Sequence, residues 1–270
     1  MKKGRKAIIV VLLWIFQHGV EAVEPVGPDN EAIQRIDGLY ELAMRENYRA
    51  GGLDLMKESL DLCMKHLDAN QASHELLWRC ARSAVELGET SKILQTRDWK
   101  TLCASMSWRG IGWTDMAKRI APDRVEGYFW QMKAMGLIYE AEGAVSFIAK
   151  GLAPKSRQNL DACYSIDRSY MDFTPVLAMA LYLHTIPLLF GRDIAKALVY
   201  YDEYAANSHW SFESWRQYPS AAELLMSTKK PEDTAKARTL IRAALADPTP
   251  RLFYFELARS LLVKIERSSH

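Results

Sequence analysis

"PDRVEGYFWQ" (residues 122–131) sets a proline and an acid–base pair ahead of three consecutive rings, Tyr128, Phe129 and Trp130. On a strand those rings would alternate between two faces. On a helix they would fan over about 200°, too wide for one buried stripe. A helix that carries them must be covered on two sides. Pro122 reads as the close of a preceding helix and Asp123 as an N-cap. Glu126, three positions on, completes an Asp-x-x-Glu variant of the capping box. The rings therefore open a helix running from about Arg124 to Ala141.

Outward from this motif, nearly every segment from Asn30 onward has helical period. Ile33, Ile36, Leu39, Tyr40, Ala43 and Met44 form one stripe, and Gly51-Gly52 reads as a break. Leu53, Met56, Leu60, Cys63, Met64 and Leu67 form the next. A turn over 68–73 leads to a third helix, with Leu77, Cys80, Ala81 and Ala84 inward and Gly88 at its end. A longer helical stretch is expected over 91–120, bent near Gly110 and Gly112. Further helices are expected at 144–152, 155–166, 173–189, 193–206, 211–227, 232–246 and 251–266. No run shows sustained alternation with β-branched enrichment, so no strand is expected. The fold class is all-α, with antiparallel helix hairpins stacked in series.

Paired helices of this length with short turns resemble tetratricopeptide (TPR) repeats. Ala117 lies five residues before Pro122, as at the end of a repeat's second helix. Leu77, Cys80-Ala81, Ala84 and Gly88 match the small positions of a first helix. Ala195 and Ala197 in "GRDIAKALVYYDEYA", and Ala235 and Ala237 in "PEDTAKARTLIRAALADP", match starts of second helices, and Pro248 closes the latter. The resemblance implies a degenerate, unevenly spaced TPR-like α-solenoid. In such an array each first helix packs on its partner and on the next repeat, and its remaining side faces the concave surface where repeat proteins bind.

Residues 1–22 stand apart. Lys2, Lys3, Arg5 and Lys6 precede the apolar run Ala7–Phe16, and Val20-Glu21-Ala22 offers a small-residue cleavage site. This reads as a secretory signal cut after Ala22, followed by a linker over 23–29 and one helical-repeat domain over 30–266. An uncleaved anchor is the alternative, but ten apolar residues fall short of the roughly 20 needed to span a bilayer. No cysteine follows the run, so lipid attachment there is not expected. The whole chain carries a net charge of +2; without the signal, 31 cations face 32 anions, net −1. A near-neutral mature chain has no global attraction to nucleic acid or anionic membrane.

Few residues suggest chemistry. Cys63, His66, His74 and Cys80 could be a metal set, but His74 and Cys80 lie about 240° apart around a helix, so no metal is expected. Cys63 and Cys80 flank a turn almost symmetrically and lie on inward stripes, which fits either a disulfide or two buried thiols. His184 sits in an otherwise apolar helix and reads as a hydrogen-bonded core residue. There is no phosphate loop, nucleophile elbow, His-Glu-x-x-His or paired-carboxylate motif. No cofactor and no enzymatic activity are expected. "FTPVLAMALYLHTIPLLF" (173–190) has no charged residue, but two prolines and its length favour a buried helix over a membrane span.

Two stretches, "RGIGWTDMAKRIAPDRVEGYFWQMKAMG" (109–136) and "SIDRSYMDFTPVLAMALYLHTIPLLFGRDIAKALVYYDEYAANS" (165–208), resemble the TatT component of tripartite ATP-independent periplasmic (TRAP) transporters. The shared features are Asp123–Trp130, the Asp167-Arg168-Ser169-Tyr170 link, Pro187, Gly191 and Ala197-Leu198. Two departures are Arg192, where a second glycine is usual, and the missing lipid-attachment cysteine. The resemblance implies a non-enzymatic periplasmic accessory protein. Its partner would be the transporter's substrate-binding subunit, and its ligand small and often apolar. Should the array enclose a cavity, Tyr128, Trp130, Trp210 and Trp215 would line it, with Arg124 as a carboxylate anchor or else a solvated first-turn residue. A general TPR scaffold of the cell envelope is the alternative, and homo-oligomers remain open.

Overall fold

A computed structural model of the chain describes residues 30–46, 50–69, 73–208, 218–246 and 252–267. The expected signal and linker, His209, Trp210, Trp215 and Pro248 lie outside the described residues. Among the described residues there are twelve α-helices and no strand. They are α1 (Asn30–Arg45), α2 (Ala50–Ala69), α3 (His74–Ile93), α4 (Trp99–Ile120), α5 (Val125–Glu142), α6 (Ala144–Ala149), α7 (Leu152–Asp167), α8 (Tyr170–Thr185), α9 (Ile194–Asn207), α10 (Tyr218–Ser227), α11 (Pro231–Ala246) and α12 (Leu252–Arg267). A 3-10 turn, Leu188–Phe190, links α8 to α9.

The contacts follow chain order: α1 on α2, α3 on α4, α5 on α7, α8 on α9 and α10 on α11. The first helices of successive hairpins also touch, α1 to α3 to α5 and α8 to α10 to α12. That series marks the inner, shorter track of a curved stack. The track bends far enough for α12 to touch α3. Tyr218, which opens α10, packs against the cluster of Tyr40, Ala43, Ala84 and Leu87. The all-α, serially stacked architecture read from the periodicity is therefore present, with the two ends of the array in contact.

The long stretch expected over 91–120 is two helices. The chain breaks after Ile93 in a Schellman turn: Thr96 N–H donates to Ser91 O (3.1 Å) and Gln95 N–H to Lys92 O (3.0 Å). Gln95 holds the left-handed position (φ 51°) that glycine usually takes, so no glycine marks the break. Gly88 lies within α3 and Gly110 within α4, where they permit close approach instead of bending. A Cβ on Gly88 would stand 3.1 Å from the Cys103 Cα, and one on Gly110 3.2 Å from Val85 Cγ2. Gly51-Gly52 belongs to the first turn of α2. At the opening motif, Arg124 and not Asp123 occupies the N-cap, with no side-chain cap bond. Glu126 turns to the Arg124 guanidinium instead (2.6 Å).

Three consecutive non-glycine residues, Met171, Asp172 and Phe173, have φ of 47°, 55° and 61°. Each left-handed residue costs about 1 kcal/mol. The reversal sends Tyr170 and Met171 into the core around Trp130, and Phe173 into the core of α8–α12. The strained turn thus sits where the two cores divide.

Gly88→Val should destabilise the fold by about 1–3 kcal/mol, because a helix backbone must move. Gly136→Ala, with nothing within 4 Å of the added Cβ, should stabilise it by about 0.5–1 kcal/mol. Paired thermal melts check both signs, and equal shifts would contradict the packing described.

Candidate functional site

The most buried element is α3. Every residue from Leu76 to Ile93 is buried except Arg79. That run contains Arg82, Glu86, Glu89 and Lys92, which cannot be left unpaired away from water. Glu75, Arg79, Arg82, Glu86 and Glu89 repeat at steps of four and three, so they form one polar stripe on an otherwise apolar helix. The neighbouring first helices supply the counter-charges. Arg79 Nε and Nη2 donate to Asp37 of α1 (2.9–3.1 Å), and Arg79 Nη1 donates to Glu75 (2.6 Å). Arg82 Nη2 donates to Asp37 Oδ1 (2.6 Å), which it shares with Arg79 Nε. Arg124, at the start of α5, reaches Glu126 and lies 3.5 Å from Glu75.

Deeper along the stripe, Lys133 of α5 pairs with Glu86 and, at 3.1 Å, with Glu89. Lys92 Nζ donates to Glu140 at 2.5 Å. Glu126, Lys133 and Glu140 are seven residues apart, so α5 presents a matching stripe. The result is a charge ladder across three successive inner helices. Its guanidiniums also lie on rings, Arg82 4.0 Å over Tyr40 and Arg79 4.1 Å over Trp78.

The ladder sets the titration of its acids. Burial pushes the Asp37 carboxyl up, but bonds to Arg79 and Arg82 outweigh it and hold the group below the ordinary aspartate value. His74, and then Arg79 and Trp78 acting against burial, hold Glu75 well below the usual carboxylate range. The ladder meets solvent at both ends, through Asp37, Glu75 and Arg124 at one and Glu140 at the other, whereas Glu86 and Lys92 keep essentially none of their side chains in solvent.

Of the residues singled out for ligand binding, the described ones, Arg124, Tyr128 and Trp130, do not share one surface. Arg124 stands at the Asp37–Glu75 end of the ladder, whereas Tyr128, two positions past Glu126 and so on the opposite face of α5, turns to α4: its hydroxyl donates to Pro122 O (3.0 Å) and Lys118 Nζ lies 5.3 Å from its ring centre. Arg124 is not a free anchor, since Glu126 and Glu75 already neutralise it. Trp130 is 1% exposed and packs edge-on to Phe129 within the core, which leaves it no surface to wall a cavity. Tyr128, Phe129 and Trp130 do fan out, one to the rim and two inward, as a helix covered on two sides requires. An open cleft of about 490 Å³ lies elsewhere, between α1 and α2, among Arg35, Lys57, Lys65, Asp54, Glu58 and Asp61.

Cys63 and Cys80 are joined as a disulfide across α2 and α3, with Cα atoms 5.5 Å apart. Among the described residues no cluster of His, Cys, Asp or Glu could hold a metal ion. His184 is half-buried, and its Nδ1 has no hydrogen-bond partner. Burial, and then the charge of Arg192, hold its pKa below the ordinary value. No described helix is long and apolar enough to cross a membrane. The ladder escaped a reading of apolar periodicity; its signal was the seven-residue spacing of charges on helices with no polar face.

No protein-family model and no curated protein matches the chain. Among solved structures, the fold is similar to TTC0263, a thermophilic TPR protein of Thermus thermophilus. The TM-score is 0.55, with 19% identity, covering 84% of this chain and 99% of that one. At that identity the likeness is one of fold: a TPR-like helical stack.

Asp37 and Glu75 have folded pKa values below the unfolded values of about 4, so their stabilisation is complete above that range and is lost as pH falls through it. Asp37→Asn should cost about 1–3 kcal/mol at pH 7 by stripping Arg82 of its ion partner. The difference from wild type should shrink as pH falls below about 4 and the Asp37 carboxyl takes up its proton. Melts across that range test it, and a deficit independent of pH would contradict the pairing. In protein prepared under oxidising conditions, thiol titration after denaturation should find two free thiols, those of Cys103 and Cys163. Four would contradict the bridge.

Proposed function

We propose that this chain is a non-enzymatic helical-repeat scaffold. A protein partner docks at the end of the charge ladder where Asp37, Glu75 and Arg124 meet solvent. The observation that supports this most is the ladder's asymmetry. It spans three layers, reaches solvent through the carboxylate of Glu140 at one end, and presents paired charges of both signs at the other. Such a rim favours a segment with complementary charges of both signs, because either sign alone would meet repulsion. A binding role also fits the free thiols. Burial pushes Cys103 and Cys163 up to about 12, so neither is a nucleophile at neutral pH.

One observation favours the narrower, transporter-accessory reading. The two stretches that resemble the TatT component meet in space: the Phe129 ring lies 5.0 Å from that of Tyr170, edge to face. On this reading the chain works in the periplasm, reached through its N-terminal signal. Its partner is the substrate-binding subunit of a TRAP transporter, and the array holds a small apolar or carboxylate-bearing ligand.

Photo-crosslinking tests both readings. A benzophenone residue at Asp123, exposed beside Arg124, should capture a protein in producing cells, and the same residue at the remote Val145 should not. Arg124→Glu should reduce capture about tenfold, as expected for losing a rim charge and its steering. Identification of a substrate-binding subunit would support the accessory reading, and another envelope protein the general scaffold. Equal capture at both positions would contradict the site.

A further inference from the structure

The apolar stretch 173–190 is not all core. Val176, Leu177, Met179, Ala180 and Leu183 are buried in α8, but after Pro187 the chain turns outward. Leu188 is 71% exposed, Leu189 95% and Phe190 46%, and Val199 in α9 is 66% exposed. The turn is preformed. Phe190 N–H donates to Pro187 O (2.8 Å), Gly191 N–H donates to Leu188 O (3.1 Å), and Asp193 N–H donates to Leu183 O (3.1 Å). Gly191 takes φ 93°, a conformation that brings the chain straight back into α9. Apolar side chains held outward on a rigid turn lower no core energy, so their placement needs an occupant.

The flanking charges say which one. Arg192 and Lys196 are exposed beside the knuckle. Asp193, between them, is drawn into the α9 cap, where its Oδ1 accepts the Lys196 N–H (2.9 Å). The His184 imidazole lies on the Arg192 side, and burial together with that charge favours its neutral form. The knuckle is thus an apolar wedge with basic shoulders. It is too small for a lasting protein interface, which covers about 800 Å² per partner. It does match a bilayer interface, where a few apolar side chains enter the headgroup boundary and cations meet anionic lipid.

We propose that Leu188, Leu189 and Phe190 insert into the surface of an anionic membrane, with Arg192 and Lys196 on the phosphate groups. One such wedge gives reversible binding, not permanent anchoring. The inference is independent of the partner assigned to the ladder.

The test uses the full chain with an environment-sensitive NBD label on Leu189→Cys or, as control, on Val145→Cys, which is 84% exposed on a different helix. Cys103 and Cys163 are buried and stay unlabelled. Vesicles are phosphatidylcholine alone or with one third phosphatidylglycerol. The label at 189 should brighten and shift to the blue with anionic vesicles, and the label at 145 should not. Arg192→Glu with Lys196→Glu should weaken the response about tenfold. Because the readout is local, an N-terminal apolar segment that enters the membrane cannot imitate it. Response at both positions or at neither overturns the proposal. So does protection of position 189 by a soluble protein with no response to lipid.

Discussion

A helix buried on every side while carrying alternating charges is the constraint around which this molecule is built. Burying α3 removes Arg82, Glu86, Glu89 and Lys92 from water, which is unfavourable unless each finds a counter-charge. Those counter-charges come from Asp37 on α1 and from Lys133 and Glu140 on α5. The ladder thereby fixes how three successive hairpins sit on one another. Apolar packing alone would allow some sliding of one layer on the next. A buried ion pair out of register would strand both charges, so register and burial are coupled. The small residues let this happen: a Cβ on Gly88 would crowd the α4 backbone at Cys103, and one on Gly110 would crowd the Val85 side chain of α3.

Much of the architecture was legible in the sequence, because stacked hairpins write a 3.6-residue period into every element. The boundaries at α8, α9, α11 and α12 fall within a few residues of those expected, since Gly191, Pro231 and the apolar stripes mark them. The break between α3 and α4 was hidden because Gln95 performs the turn that glycine normally signals. The N-cap at 123 failed for a related reason: Glu126 found a stronger partner in Arg124 than a backbone N–H would have been. Apolar stripes also record only half of the packing. On α3 and α5 the contact between layers is carried by charges at seven-residue spacing, which such stripes pass over.

The candidate site was less legible than the fold. Arg124 reaches solvent as a helix-start residue should, but Trp130 packs in one core with Tyr170, 40 residues away. Nothing local in "YFWQ" says which ring turns inward. The exposed knuckle at 188–190 is the converse case. Its residues read as the end of a buried helix, and only Pro187 hinted that the apolar run would leave the core there. The inner charges and the outer apolar turn suggest opposite uses for the two sides of the array: selective contact within, and attachment without.

Amide hydrogen exchange read by mass spectrometry tests the central claim most directly. If α3 is held on all sides by the ladder and by the returning end of the stack, peptides covering Leu76–Ile93 should exchange last, at the rate of global unfolding. Exchange in α3 as fast as in α11, on the outer track, would contradict the account.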